Sequence, residues 1–398
     1  MPVKIITLLM LVSLAVSCGR NSPGSGGSAG KSTAGPSIEQ EQWLKENQIG
    51  KYDIGTQDWE AIEAAAITEG SLVIYTNSSS IAMAADSWTE LYPDIALIVN
   101  DSDDITVMMA AEQDSGKAYG DVWFGSDDSN LIGKLLPHQY IRQFVPDTLT
   151  GKIASEYTEP LLVFHFGTTV LAYNRELNET CPVNNIWELT QPEWKGRIFI
   201  EDPLTDTSTL YKLLTYVCHA EELKAAYIDL YKAEPVLDAD TPDAGWLWLK
   251  RFVRNAPIPI SSSREVETAF ASPGMKNSYL AFTSYSGYAD VLEGNLAFEP
   301  CWGIKPVSGT LSRSCLAIIN LAPHPNAAKL FIRFITSDEG RKPWAKFGRY
   351  FTDSTYQVPA GQMNFEEILK VTWFTEDQFA YDNMIQALDL YLLNLQTR

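Results

Sequence analysis

Residues 71–100, SLVIYTNSSSIAMAADSWTELYPDIALIVN, predict a strand, a helix and a second strand in succession. Ser71 to Tyr75 is a short apolar run rich in β-forming residues, which is typical of a buried strand. After a polar turn, the apolar spacing predicts a helix from Ile81 to Tyr92, and Ala96 to Asn100 predicts the next strand. Such a strand–helix–strand unit indicates a parallel sheet covered by helices, and therefore an α/β fold.

Further β-prone runs along the chain also end in polar loops. In open α/β sheets, ligands bind beyond the carboxyl ends of the strands. We therefore expect these loops to form the walls of a ligand cleft. They lie at residues 76–80, 125–129, 205–208, 261–263 and 283–288.

The candidate ligand-binding residues are polar side chains in these loops: Thr76, Ser78, Ser79, Asp127, Thr205, Thr207, Ser208, Ser262, Tyr285 and Tyr288. Thr207 and Ser208 open a predicted helix, where unpaired backbone N–H groups and the helix dipole attract an anion. The loops thus favour an anionic solute, held by Ser78, Ser79, Thr207, Ser208 and Tyr285. Two other interpretations stay open: the hydroxyl residues only cap helices, and the tyrosines are ordinary cleft or surface aromatics.

The N-terminal residues have the layout of a bacterial export signal. Lys4 precedes an apolar run from Ile5 to Ala15 that is too short to span a membrane as a helix. Ala15-Val16-Ser17-Cys18 follows and predicts a lipoprotein signal peptide over residues 1–18, with lipidation of Cys18. Residues 19–37, rich in Gly and Ser, predict a disordered tether. The alternative is plain secretion with an unmodified Cys18.

The composition describes a soluble, acidic body. The formal net charge is -20 and 45% of the residues are hydrophobic. No basic stretch is present to neutralise a phosphate backbone, which excludes a general nucleic-acid binder. An anionic ligand is compatible with this charge, because a cleft can carry a local field opposite to the net charge. The length of the body indicates two lobes rather than one core.

Four cysteines follow Cys18: Cys181, Cys218, Cys301 and Cys315. In an oxidising compartment their even number predicts two disulfides, with Cys301 and Cys315 the preferred pair because they flank a short connection. The alternative is buried thiols. None lies in a CxxC pair and the four histidines show no ligand spacing, so we expect no structural zinc and no cofactor.

Several motifs, in this order along the chain, resemble the type 2 periplasmic substrate-binding proteins, specifically the iron(III)-type branch of extracellular solute-binding family 1. The resemblance extends from about Glu69 to Gly340. Its motifs are Gly70 to Thr76, Leu91 to Ile95, Gly120 to Gly125, Ala172 to Leu177, Pro192 to Ile198 with Asp202-Pro203, Pro306 to Thr310, and Asn326 to Ile332 with Ser337 to Gly340.

The resemblance implies an α/β, two-lobed fold with a cleft between the lobes and two crossing strands. The expected hinges are Thr168 to Ala172 and Glu299 to Lys305. Lobe 1 would comprise residues 38–170 with 303–345, and lobe 2 residues 171–302. Residues 346–398 would form C-terminal helices.

The resemblance also implies a monomeric, non-enzymatic solute-binding component of an ABC importer. Its partners would be the permease, the ATPase and a small solute. It would act on the periplasmic or cell-surface side, touching a membrane only through its N-terminal lipid. Two alternatives stay open, an exported sensor that docks on a receptor and an exported hydrolase, although no GxSxG, Walker or HExxH motif is present.

The expected solute is a ferric iron complex or an anionic organic compound such as a phosphonate or a sugar phosphate. Ferric-binding members of this family commonly carry adjacent tyrosines in the loop at 283–288. Here Ser286 and Gly287 separate Tyr285 from Tyr288, the only metal-ligand candidates if the solute is ferric. This departure favours the organic anion.

Overall fold

The computed structural model describes residues 36–78, 80–102, 105–126 and 131–395. The predicted signal peptide with Cys18, the tether through residue 35, Ser79 and Asp127 lie outside the described residues. Among the described residues, no helix is both long and apolar enough to cross a membrane.

The strands are β1 (Ser71–Thr76), β2 (Ala96–Asp101), β3 (Val122–Gly125), β4 (Ile141–Arg142), β5 (Leu162–Asn174), β6 (Ile198–Glu201), β7 (Ile258–Ile260), β8 (Leu280–Ser284), β9 (Phe298–Pro300), β10 (Gly309–Ile319), β11 (Arg349–Phe351) and β12 (Thr372–Phe374).

The helices are α1 (Ile38–Glu46), α2 (Trp59–Glu69), α3 (Ile81–Leu91), α4 (Ile105–Asp114), α5 (Thr207–Cys218), α6 (Ala220–Tyr231), α7 (Ala244–Arg254), α8 (Ser263–Ala271), α9 (Tyr288–Leu292), α10 (Pro325–Ile335), α11 (Phe365–Ile368) and α12 (Asp377–Leu395). Several begin at side chains that accept a hydrogen bond from a free N–H group of the first turn, as helix termini require. These caps include Asp58, Asp206, Asp243 and Ser262.

Within the described residues, the strands form one mixed sheet in the order β2-β1-β3-β10-β5-β8-β6-β7. The pairs are parallel at both ends, β1 with β2 and β3, and β6 with β7 and β8. In the middle, β10 runs antiparallel to β3 and β5, and β5 runs antiparallel to β8. The predicted strand–helix–strand unit is confirmed, because β1, α3 and β2 follow one another and Ser71 pairs with Ala96.

The two long strands β5 and β10 lie side by side in the middle of the sheet and link its two ends. β5 pairs with β10 through residues 162–170 and with β8 through residues 169–173. β10 pairs with β3 as well as β5. The expected first crossing at Thr168 to Ala172 lies within β5, and Glu299 to Lys305 overlaps β9 and the turn that leads into β10.

Each end of the sheet has its own hydrophobic core. Trp88 and Phe331 lie in the cluster around β1, α3 and α10. Trp187 and Trp248 lie in the cluster around β6, α5 and α7, which α12 completes with Tyr391. Two separately packed ends leave space for a cleft between them.

The C-terminal segment corrects one expectation. Residues 346–398 were expected to be helical, and they do contain α11 and α12. They also contain β11, which pairs with β5, and β12, which pairs with β10. Both strands are three-residue runs with aromatic residues, too short for periodicity to distinguish them from helix.

The expected disulfide between Cys301 and Cys315 is wrong. Cys301 instead bonds to Cys181, with 5.2 Å between their Cα atoms. Cys301 follows β9 and packs in the cluster around β6, whereas Cys315 lies within β10 in a different cluster. The extended strand carries Cys315 away from Cys301, although the two are close in sequence. Cys218 and Cys315 are thiols.

Candidate functional site

A cleft of about 690 Å³ opens beside the middle strands of the sheet. Its size suits a small organic ligand. The lining is dominated by hydroxyl and charged side chains. It comprises Ser126, Gly167, Thr168, Thr169, Glu201, Ser208, Lys212, Ser263, Arg264, Glu267, Ser284, Ser286, Gly287, Ala289, Asp290, Glu293, Ser312, Lys346 and Arg349.

Arg349 supplies a positive charge that no carboxylate of the described residues neutralises. It lies on β11, paired with Gly167 of β5, and its guanidinium extends over that glycine. Among the described residues, no carboxylate forms an ion pair with it. Burial therefore lowers the pKa of Arg349 without a compensating anion. Lys346, exposed at the rim of the cleft, likewise forms no ion pair with any described residue.

Lys212 of α5 adds a third positive charge, which is only weakly paired. Its Nζ lies 3.2 Å from Ser208 Oγ and 3.9 Å from Glu201 Oε2. Burial raises the pKa of Glu201, and Lys212 opposes that shift. Lys212 and Ser208 are on successive turns of one helix, so both line the same part of the cleft.

The start of α5 corrects the predicted anion site at a free helix terminus. Asp206 caps this helix and accepts hydrogen bonds from Ser208 N at 3.0 Å, Ser208 Oγ at 2.9 Å and Thr209 Oγ1 at 2.8 Å. Burial raises the pKa of Asp206, but Lys212 and these donors lower it further than burial raises it. The protein's own carboxylate thus occupies the N–H of Ser208, one of the backbone donors expected to hold the solute.

An acidic group faces the same cleft from α8 and α9. Arg264 donates to Asp290 at 2.6 Å and lies 3.4 Å from Glu267. Glu267 is only 4% exposed, and burial raises its pKa to about 7, with Arg264 opposing the shift. Gly287 packs directly against its carboxylate. The cleft therefore has cations on one part of its wall and carboxylates on another.

Of the predicted residues, Ser208 lines the cleft, while both tyrosines lie behind its lining. Tyr285 is 3% exposed and packs against Trp302 and Phe347. Tyr288 donates its hydroxyl to Glu299. Burial raises the pKa of Tyr285, and burial with Glu299 raises the pKa of Tyr288 to about 12.

The other predicted hydroxyl residues that the structure describes lie outside the cleft lining and mostly bond within the protein. Thr76 Oγ1 accepts from Ser78 N, and Ser78 Oγ accepts from Trp344 Nε1 at 2.9 Å. Ser262 caps α8, and Thr205 donates to the carbonyl of Asp202. Thr207 begins α5 outside the lining. Ser262 thus serves as a helix cap, a role that the sequence analysis considered only for the hydroxyls of residues 78–80 and 205–208.

None of the charged residues described in the cleft lining was predicted from the sequence. Ligand residues were expected at strand ends, but Lys346 and Arg349 come from a segment read as helical, and Lys212 lies inside a helix. A partial signal existed elsewhere: Ser284 and Ser286 flank Tyr285, Ser263 follows Ser262, and Ser126 precedes Asp127.

A family model of bacterial extracellular solute-binding proteins matches residues 127–364, more than half of the chain. The chain belongs to this family. As an extracellular solute-binding protein it acts on the periplasmic or surface side and works with the permease and ATPase of an importer. No curated protein matches the sequence.

The fold of this solute-binding protein is also found in solved structures of low sequence identity. Iron-bound HitA from Pseudomonas aeruginosa has a TM-score of 0.61 at 18% identity, with 81% of this chain and 99% of HitA covered. AfuA from Actinobacillus pleuropneumoniae, with fructose-6-phosphate bound, has a TM-score of 0.60 at 18% identity, covering 83% and 99%. A ferric binding protein from Campylobacter jejuni has a TM-score of 0.59 at 14% identity, covering 81% and 99%. The predicted two-lobed α/β fold is confirmed.

Proposed function

We propose that the solute of this importer component is an organic anion carrying a phosphate or phosphonate group. The observation that carries the proposal is the uncompensated guanidinium of Arg349 in the cleft. Arg349 is half-buried and has no carboxylate partner among the described residues, so a bound anion would supply the missing ion pair. Lys346 and Lys212 stand in the same lining and add to the attraction.

The hydroxyl and carboxylate groups opposite suit the remainder of such a solute. Ser263, Ser284, Glu267 and Asp290 can accept or donate hydrogen bonds to the hydroxyls of a sugar. The fructose-6-phosphate in AfuA combines a phosphate with several hydroxyls, and this protein has the same fold. A sugar phosphate therefore fits both the cationic and the acidic parts of the wall.

A ferric ion fits this cleft less well. HitA binds iron on the same fold. Here, the two candidate tyrosines lie outside the cleft lining, and the Tyr288 hydroxyl already donates to Glu299. Among the described residues, no group of three His, Cys, Asp or Glu side chains is placed to hold a metal ion.

The test is calorimetry with fructose-6-phosphate, inorganic phosphate and ferric citrate, together with native mass spectrometry for any solute that copurifies. We expect fructose-6-phosphate to bind and Arg349→Gln to weaken binding about ten- to hundredfold, the usual loss for a charged hydrogen-bonding partner. Arg333→Gln is the matched control, because Arg333 stacks on Trp59 away from the cleft. Binding of ferric citrate alone, or equal affinities for both variants, would refute the anion proposal.

The lipid anchor, the tether and the division into two lobes are a second part of the proposal. We infer that Cys18 carries the lipid, that residues 19–37 tether a monomeric body to the membrane, and that lobe 1 (38–170 with 303–345) and lobe 2 (171–302) close on the solute. The separate hydrophobic clusters at the two ends of the sheet support this division. Closure by a hinge would let the permease distinguish the loaded form.

A further inference from the structure

The Glu267 carboxylate lines the solute cleft and is incompletely paired by the described residues. It belongs to an almost fully buried residue of α8. Its Oε2 lies 3.4 Å from Arg264 Nη1, which is long for a charged hydrogen bond, and no other described group donates to the carboxylate. The same Nη1 lies only 2.6 Å from Asp290 Oδ2. Arg264 therefore neutralises Asp290 more than it neutralises Glu267.

Neighbouring carboxylates add to the negative charge around Glu267. Glu201, Asp290 and Glu293 line the same cleft. Burial raises the pKa of Glu267, the carboxylates of Asp290 and Glu201 raise it further, and Arg264 opposes the shift only in part. A buried carboxylate in this state is unfavourable, and a cationic partner would stabilise it. The described part of the chain holds no group of three acidic, His or Cys ligands suited to a metal ion, so the fitting cation is an ammonium group.

The turn between β8 and α9 lies between this carboxylate and Arg349. A Cβ at Gly287 would lie 2.3 Å from Glu267 Oε1, and a Cβ at Gly348, the residue before Arg349, would lie 3.1 Å from Ser286 N. The turn therefore has the segment that carries Arg349 on one side and Glu267 on the other. A single solute that spans this turn can bring an anion to Arg349 and a cation to Glu267.

Hydroxyl groups line the same cleft on the middle strands of the sheet. Thr169 of β5 pairs with Ser284 of β8, and Ser312 of β10 pairs with Gly167 of β5. The hydroxyls of Thr169 and Ser312 form no hydrogen bond with any described residue. Hydroxyl groups both donate and accept, so they suit the hydroxyls of a sugar, whereas a simple alkyl chain would leave them without partners. The part of the solute between its two charges should therefore be polyhydroxylated.

We propose that the solute is an amino sugar phosphate, whose phosphate group pairs with Arg349 and whose ammonium group pairs with Glu267. This inference rests on the proposed binding of a phosphate-bearing solute in the cleft, and it adds a second, positively charged group to that solute.

Calorimetry on the full chain tests the inference with glucosamine-6-phosphate, glucose-6-phosphate and N-acetylglucosamine-6-phosphate. These sugars share the ring and the phosphate, and they carry an ammonium, a hydroxyl and an acetamido group at the same carbon atom. We expect glucosamine-6-phosphate to bind about tenfold or more tightly than the other two, as expected for one added charged hydrogen bond.

Three variants identify the residue that recognises the ammonium group. Glu267→Gln should remove the preference for glucosamine-6-phosphate, because the amide keeps the size of the side chain without its charge. Glu265→Gln is the matched control, because Glu265 is an exposed carboxylate of the same helix outside the cleft lining. Arg264→Gln should increase the preference severalfold, because it removes the cation that competes for Glu267.

The ammonium site and the phosphate site fail in distinguishable ways. If the three sugar phosphates bind equally well and Arg349→Gln weakens all of them, the cleft binds phosphate and the ammonium site is refuted. A preference that persists in Glu267→Gln, or that does not increase in Arg264→Gln, refutes the ammonium site as well. If none of the three sugars binds, the proposed phosphate-binding function and this inference are both overturned.

Discussion

Arg349 occupies the space that a side chain at Gly167 would fill. The two residues are partners in the pairing of β11 with β5, and a Cβ at position 167 would lie 2.2 Å from Arg349 Nη1. Gly167 does not have a positive φ, so its missing side chain, rather than its backbone, is what the site requires.

Gly167→Ala should therefore impair solute binding while leaving the fold intact. The methyl group displaces the guanidinium, and we expect the affinity for fructose-6-phosphate to fall about tenfold or more in calorimetry. The double variant with Arg349→Gln is the control. It should bind no more weakly than Arg349→Gln alone, because both changes remove the same interaction. Additive losses would contradict this account.

Glu267 should make stability and binding depend on pH near neutrality. Burial raises the pKa of its carboxyl to about 7, against the usual 4.5. A carboxyl whose pKa is higher in the folded state takes up a proton on folding, so its contribution to the free energy of unfolding is present below pH 4.5 and is lost as the pH rises through 7. Glu267→Gln should thus exceed the wild type in stability at pH 8 by about 1–3 kcal/mol, and much less at pH 5.

Urea unfolding at pH 5 and pH 8 measures this difference, with the exposed Glu179→Gln as the control. Because Glu267 lines the cleft, the wild type should also bind an anionic solute more weakly at pH 8 than at pH 6. A stability difference that stays constant with pH would show that the carboxyl does not titrate in this range.

The bond between Cys181 and Cys301 should stabilise the end of the sheet that contains β6. The two residues are separated by 120 positions, and closing so long a loop contributes about 4–5 kcal/mol in the chain-entropy model. Cys181→Ser, Cys301→Ser and the double variant should lose similar amounts of stability, whereas Cys218→Ser should lose little. Non-reducing peptide mapping should recover Cys181 linked to Cys301. Recovery of Cys301 linked to Cys315 would contradict the structure.

Cys18 should be diacylated in the exported protein. The apolar run from Ile5 to Ala15 and the residues before Cys18 motivate this prediction. A labelled fatty acid should enter the wild type but not Cys18→Ala, in cells that express each at equal levels. Label in both proteins would disprove modification at this residue.

The sequence predicted the elements of the fold well because their signals are local. Strand β1 and helix α3 both show clear apolar patterns, and their observed bounds differ by only a residue from those expected. The disulfide failed because sequence proximity does not give spatial proximity when a strand intervenes. Cys315 lies in the extended β10, and only the tertiary structure shows that Cys181 approaches Cys301.

The site was harder to predict because it depends on pairing between distant segments. Arg349 reaches the cleft only because β11 joins β5, and nothing in the local sequence indicates that partner. The hydroxyl residues were easier to recognise in the sequence, but several of them form hydrogen bonds within the protein instead of lining the cleft. The carboxylate of Asp206, for example, satisfies the start of α5 and leaves Ser208 as the predicted loop residue found in the cleft lining.

The late position of β11 in the chain has a consequence for export. Export led by the predicted N-terminal signal would bring β5 across the membrane before residues 349–351. Until that strand joins β5, the cleft lacks its principal cation, and the loop to be closed is long, which slows such pairing. A partly translocated chain should therefore not bind the solute. The protein would become able to bind only after almost the whole polypeptide has crossed the membrane. The solute would therefore not bind during export.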